Sequence, residues 1–313
     1  MRIDLAQCAA FLKERDNFVL LCHRDPDGDT YGSAAALAQA LLSMGKQVRL
    51  ECPGVFPKNL SYLNRKYPDF AEEYAVAIDV ASPNMLGDIG KRRSRIDLCI
   101  DHHPTNPDYA ALTWLVDYAA TGEAVYELLK ELGASISPEM ATALFTALSS
   151  DTGGFRFANT TAQTHRYAAD LLELGADAET VRRCLFESNS RGRVKIESNA
   201  MANARFYQNG EIAVISVSVA DTAENGVDES ELEGLASEPL RIDGVRIAIT
   251  LKEREDGSVR VSMRSDSDEA DVSAVCRRFH GGGHVRASGC RIWDTLENAE
   301  KMLVSACKEE LAR

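Results

Sequence analysis

The chain has 313 residues, 35 of them basic and 48 acidic, for a formal charge of −13. Its length exceeds what one small core organises and predicts two domains, while the acidic balance argues against a long electrostatic track for duplex DNA or for a membrane surface. Eight cysteines without a CxxC pair fit reduced thiols better than a zinc ribbon or disulfide scaffold. With no signal-peptide pattern at Met1 to Ala6 and no apolar run of bilayer length, a soluble, cytoplasmic protein is expected.

In chain order, short apolar runs at residues 18–22, 47–52, 74–79 and 95–101 read as strands, and residues 32–44, 122–132 and 138–149 carry apolar positions at helical spacing. That alternation predicts a parallel α/β sheet with helices on both faces. Residues 159–208 read as mostly helical, with His165 on a helix surface or in packing, and the polar piece 187–193 as the linker candidate. Strands then follow at 212–220, 246–253 and 259–264, the last two joined by an Asp256-Gly257 hairpin turn, with helices at 271–279 and 295–311. The expected division is a catalytic domain over 1–187, a connecting helix over 188–208, and a smaller α+β domain over 209–313 across a cleft.

Three of the early strands end in potential ligands: His23, Asp79, and Asp101-His102-His103. In open α/β sheets, ligands bind outside the carboxyl ends of the strands, so these side chains are expected to converge, with Asp27 and Asp29 just beyond His23 and Asp151 at a helix end. Four carboxylates meeting in one crevice repel one another unless cations neutralise them. Two divalent ions would do so, and mixed oxygen and imidazole donors favour Mn²⁺, with Mg²⁺ or Co²⁺ as alternatives. Such a pair lowers the pKa of a shared water and stabilises the oxygens of a displacement at phosphorus.

Residues 25–29 also allow blander readings. An EF-hand counted from Asp25 fails, because Thr30 stands where glycine is needed and Ala36 where glutamate is. A plain turn, with Ser33 capping the following helix, stays open. Near the other end, Phe279-His280-Gly281-Gly282-Gly283-His284 is either a flexible turn or a phosphate cradle, with His280 leading into it. An esterase oxyanion loop is excluded, since the chain has no G-x-S-x-G elbow. Arg264 and Ser265 end a strand with a guanidinium and a hydroxyl suited to a terminal phosphate. The basic run Lys91 to Arg95 reads as a solvated loop.

The motifs His23-x-x-Pro26-Asp27-Gly28-Asp29-x-x-Gly32-Ser33, the Asp79 strand end, Asp101-His102-His103 and Asp151-Thr152-Gly153-Gly154-Phe155-Arg156-Phe157 together resemble the DHH phosphoesterase superfamily. Residues 262–265 and 281–289 resemble its DHH-associated C-terminal domain, in the form seen in the NrnA group of nanoRNases and pAp phosphatases. The resemblance implies that His23, Asp27 and Asp79 hold one metal and that Asp29, Asp79, His102 and Asp151 hold the other. Asp79 would bridge the two, Asp101 would orient the site and His103 would face the phosphoryl group. It also implies that Arg264, Ser265, Gly282, Gly283 and His284 bind the substrate phosphate.

The implied activity is hydrolysis of short single-stranded RNA to mononucleotides, and of 3′-phosphoadenosine 5′-phosphate (pAp) to AMP. A phosphodiesterase for linear dinucleotides of the pApA type is the enzymatic alternative, and a nucleotide-binding sensor the non-enzymatic one. Neither duplex DNA nor a membrane is an expected partner, and the oligomeric state stays open, a homodimer included.

Overall fold

The structure, a computed structural model, describes residues 1–312 except Ser94 and Glu233. Contacts divide the chain into two units, Met1–Ser188 and Asn189–Arg313. The first unit runs α1 (Leu5–Glu14), β1 (Phe18–Leu21), α2 (Gly28–Ser43), β2 (Val48–Glu51), β3 (Tyr74–Ile78), α3 (Gly87–Arg92), β4 (Leu98–Asp101) and β5 (Leu112–Leu115). It continues with α4 (Thr121–Leu132), α5 (Pro138–Asp151), α6 (Ala162–Glu173) and α7 (Ala178–Arg182).

All five strands are parallel, in the order β2-β1-β3-β4-β5. Because β1 is buried on both sides, its four residues form an unbroken apolar run without alternation. Phe18, Leu20, Val76, Ile78, Leu98 and Ile100 pack into the core shared with α1, α2, α4 and α5. Val19, Leu21, Ala77 and Cys99 point the other way, under Leu86 and Ile89. Both faces are thus covered, but unequally. The order reverses between β1 and β3, which creates a crevice at their carboxyl ends.

The sequence reading missed three elements here, α3 among them. Strand β5 is only four residues long, too short for a periodic signal. Helix α1 begins in a capping box, in which Asp4 accepts from the Gln7 amide and the Gln7 side chain accepts from the Asp4 amide. Ser33 does not cap α2, which starts six residues earlier than that reading requires. The basic run at 91–95 begins in the last turn of α3, and its Ser94 lies outside the described residues.

The second unit contains α8 (Arg191–Ala202), β6 (Arg205–Tyr207), β7 (Ile212–Val217), α9 (Val219–Asn225), β8 (Ile247–Glu253), β9 (Val259–Ser265), α10 (Val272–Arg277), β10 (Gly282–His284), β11 (Ala287–Ile292) and α11 (Leu296–Leu311). Its sheet order is β10-β11-β9-β8-β7-β6, antiparallel except for the β7–β8 pair. Helices α10 and α11 cover one face, while α8 and Leu235 close the core on the other. The expected connecting segment 188–208 therefore contributes a helix and an edge strand to this unit. Among the described residues, no helix is long and apolar enough to cross a membrane.

Candidate metal centre

The crevice outside β1 and β3 collects the candidate ligands. His23 lies two residues beyond β1, Asp79 directly follows β3, and Asp101 is the last residue of β4. Helix α2 starts in the same crevice because Asp27 caps it, its Oδ1 accepting from the amides of Asp29 and Thr30 at 3.0 and 3.1 Å. The hydroxyl of Thr30 donates to the Ile78 carbonyl at 2.8 Å and ties that first turn to the end of β3. The same Asp27 Oδ1 lies 3.7 Å from His23 Nε2. Asp27, and not the Ser33 of the bland reading, is thus the helix cap, and it is also a candidate ligand.

Asp79 occupies the left-handed region at φ 59°, which an aspartate tolerates better than a β-branched or bulky residue. Its amide donates to the Ile100 carbonyl at 2.9 Å, and its Oδ1 accepts from the Thr121 hydroxyl at 2.9 Å. This geometry turns its two oxygens toward different partners. Oδ2 lies 4.0 Å from His23 Nε2, whereas Oδ1 lies 3.6 Å from His102 Nε2. The donor atoms form overlapping groups, His23–Asp27–Asp79, Asp29–His102–Asp151 and Asp79–His102–His103, each within 4.8 Å.

Asp29 is fully buried at the start of α4, where its carboxylate accepts from the amides of Thr121 and Gly122 at 2.7 and 2.9 Å and from the Ser33 hydroxyl at 3.0 Å. A carboxylate is stabilised there by the orphan amides and the helix dipole. His102 Nε2 stands 3.9 Å from Asp29, 3.6 Å from Asp79 and 3.3 Å from Asp151, the final residue of α5. Its Nδ1 is 3.0 Å from the Tyr118 carbonyl, a contact that requires a proton on Nδ1 and leaves Nε2, the nitrogen that loses its proton on metal binding, facing the three carboxylates. That Nε2 is buried and meets no hydrogen-bond geometry with a partner among the described residues. An imidazole nitrogen so oriented among carboxylates supplies, once deprotonated, the donor set a divalent ion needs, and the residues fit the metals expected of them.

Asp101 belongs to none of these three groups. Its Oδ1 accepts from the His102 and His103 amides at 2.9 and 3.3 Å and from His103 Nδ1 at 2.8 Å, which orients the His103 ring. Asn106, buried and missed by the sequence reading, donates to Asp101 Oδ2 at 2.6 Å. Thr121, Gly122 and Ser33, which hold Asp79 and Asp29, were also missed as supports. Only Ser33 lay within a recognised motif.

Charge follows this geometry. Burial disfavours the cationic form of His102, but Asp151, Asp79 and Asp29 outweigh it and push the pKa up to about 11. In the same way, Asp27 and Asp79 overcome the burial of His23 and raise it to about 9. Burial, together with neighbouring carboxylates, pushes Asp79 up to about 6, and burial plus Asp79 and Asp151 raises Asp29 well above its ordinary value. Crowded carboxylates are thus held toward their neutral forms and the histidines toward their cationic forms.

Beyond Asp151, three successive residues, Gly153, Gly154 and Phe155, take φ values of 57°, 69° and 65°. The Phe155 ring stacks on His165 at 5.5 Å, which gives His165 a packing role.

In the second unit, the glycine segment is a strand, not a turn. Gly282, Gly283 and His284 pair with Gly289, Ser288 and Ala287, and Ala287 pairs in turn with Arg264. Register thus aligns Arg264, Ala287 and His284 across three strands. A Cβ on Gly283 would stand 2.5 Å from the Ala287 carbonyl oxygen, so only glycine fits this close pairing. Burial lowers the pKa of Arg264, which has no acidic partner among the described residues. The Ser265 hydroxyl donates to the Ser267 carbonyl at 3.2 Å.

A parallel sheet of this order, with carboxylates and imidazoles at its reversal point and a mixed sheet following in the chain, defines the architecture of the DHH phosphoesterases. The DHH family, N-terminal domain, matches residues 17–148, and the DHHA1 domain matches residues 209–312. The chain is 33% identical over 304 residues to the bifunctional oligoribonuclease and PAP phosphatase NrnA of Thermus thermophilus, covering 93% of this chain and 89% of the relative. To the Bacillus subtilis protein of that name it is 30% identical over 306 residues, covering 94% and 96%. The chain belongs to the DHH family. Its fold is that of an exopolyphosphatase-related protein from Bacteroides fragilis, with a TM-score of 0.87, 23% identity and coverage of 98% and 96%.

Proposed function

We propose that this phosphoester hydrolase degrades short single-stranded RNA to mononucleotides and converts pAp to AMP in the cytoplasm, with two divalent ions, Mn²⁺ by preference. His23, Asp27 and Asp79 would hold one ion, and Asp29, Asp79, His102 and Asp151 the other. The observation that carries this reading is Asp79, whose two oxygens face two different groups of donors. Near-full-length similarity to relatives named for these activities supports the substrate class.

The ions would acidify water and neutralise charge on the phosphoryl group. His103, its ring set by Asp101, is the group from this chain that would hydrogen-bond the phosphoryl oxygen. In the second unit, Arg264 and Ser265, with the Gly282–His284 strand, would take the substrate's other phosphate. A desolvated guanidinium with no acidic partner among the described residues is suited to a phosphate dianion. The net charge of −13 agrees with a short substrate recognised locally, since a long polynucleotide needs an extended cationic path.

The test is product analysis with Mn²⁺ on one preparation, comparing RNA of two to five nucleotides, pAp and pApA. Mononucleotides from RNA dimers and AMP from pAp are expected. Inactivity on RNA dimers would sink the reading, and turnover confined to pApA would establish the linear dinucleotide as the substrate instead.

A further inference from the structure

The segment after Asp151 contains an aromatic side chain that neither the fold nor the metal centre uses. Phe157 is 46% exposed, in a loop otherwise held closely to the backbone. The amides of Arg156 and Phe157 both donate to the Thr152 carbonyl, at 2.9 and 3.0 Å, and the Phe157 carbonyl accepts from the Thr160 amide at 3.0 Å. Asn159 bonds back to the carbonyls of Asp151 and Ala119, each at 3.1 Å. Arg156 Nε donates to the Gly153 carbonyl at 2.6 Å.

This bonding lays the outer end of the Phe157 ring on Gly153. A Cβ on Gly153 would stand 2.4 Å from ring atom Cζ and 2.6 Å from both Cε atoms. The glycine therefore has two local duties, a left-handed φ of 57° and room for the ring. Gly153 is two residues from Asp151, so its Cα lies within about 7 Å of the Asp151 Cα. One nucleotide bridges such a distance between its phosphate and its base. A rigidly seated ring, left half open beside a candidate phosphate-processing centre, has the properties of a base-stacking surface.

We propose that Phe157 is the stacking platform for a nucleobase of the substrate whose phosphate is at the metal centre. The inference rests on the nucleotide substrate class of the proposed function and adds a residue that selects for the base. Stacking tolerates every base, because each has a π face, so the platform favours nucleotides over other phosphoesters without selecting among sequences.

The experiment compares KM for an RNA dinucleotide with KM for its analogue lacking both bases, in the wild-type protein and in Phe157→Ala and Phe157→Trp, with Mn²⁺ titration calorimetry on all three. In the wild type the base-bearing dimer should have the lower KM by about tenfold. Phe157→Ala should lose that preference, Phe157→Trp should restore it, and Mn²⁺ binding should be alike in all three. An unchanged preference in Phe157→Ala, or a parallel rise in both KM values, overturns the platform.

If the wild type cleaves neither dimer, the proposed RNA activity fails, and the platform is decided by binding of AMP against ribose 5-phosphate to the Mn²⁺-loaded proteins. A loss in Phe157→Ala confined to AMP upholds it, and equal affinities of AMP for wild type and variant overturn it.

Discussion

At the scale of single residues, the centre depends on side chains that serve structure and chemistry together. Asp79 adopts a left-handed conformation and turns one oxygen toward each group of donors. Asp79→Asn keeps a residue type suited to that φ and removes the charge. We expect Mn²⁺-dependent turnover of the variant to fall to background in a product assay; persistent turnover would refute the bridging role, while a wild-type protein that binds nucleotide without turnover would be a sensor.

Proton linkage provides a second residue-scale prediction. With pKa values raised to about 9 and about 11, His23 and His102 carry protons at neutral pH in the metal-free protein, and metal ligation must displace them. Mn²⁺ uptake should release protons, and affinity should rise between pH 6 and 8. Calorimetry in buffers of different ionisation enthalpy measures this, and uptake without proton release contradicts it. For stability the sign is opposite. The raised histidines stabilise the metal-free fold fully below their unfolded value of 6.5, and that contribution is lost as pH rises through about 9 and then about 11.

At the scale of elements, the ligands are placed by close contact between α2 and α5. A Cβ on Gly32 would stand 2.4 Å from the Ala143 carbonyl oxygen, and one on Gly28 would stand 2.6 Å from the Ser150 Cβ. The alanines that fill the rest of α2 let the helices approach, and the contact aligns Asp29 with Asp151. Gly32→Val should destabilise the fold by about 1–3 kcal/mol through overpacking, read by chemical denaturation, and lower Mn²⁺ affinity at the same time. An unchanged denaturation midpoint would mean that the contact is not tight.

Element boundaries were legible where a capping residue or periodic face announced them, as in α5 from Pro138 and α11 from Thr295. They were hidden where the signal was ambiguous. Asp27 resembled a turn residue until its bonds to the Asp29 and Thr30 amides identified it as the α2 cap. The Gly282–His284 strand resembled a turn because its two glycines and the Gly281 before it carry no β propensity, and cross-strand pairing supplies what their side chains do not.

At the scale of the whole molecule, all six candidate metal ligands lie in Met1–Ser188, together with a complete sheet and core. The fragment 1–188 should therefore melt cooperatively and gain about 2.7 kcal/mol from Mn²⁺ at a hundredfold excess over Kd. The fragment 189–313 has a separate sheet and core and should melt without response to Mn²⁺. Calorimetric scans of both decide the matter. A metal response in the second fragment, or none in the first, would relocate the centre.

What the residue order determined on its own is the chemistry available: carboxylates and imidazoles at strand ends, glycines beside an arginine and a serine, and apolar runs short enough for strands. Local spacing suffices for these because each depends on near neighbours along the chain. The tertiary structure alone decided which of them meet. The β2-β1-β3-β4-β5 order brings His23 and Asp79 to one crevice, although 56 residues separate them. Likewise, the buried supports Asn106, Thr121 and Gly122 reach Asp101, Asp79 and Asp29 through contacts that only packing creates. A hydrogen bond across 42 or 93 residues leaves no mark in the spacing of either partner, because its length is set by how the helices and strands pack.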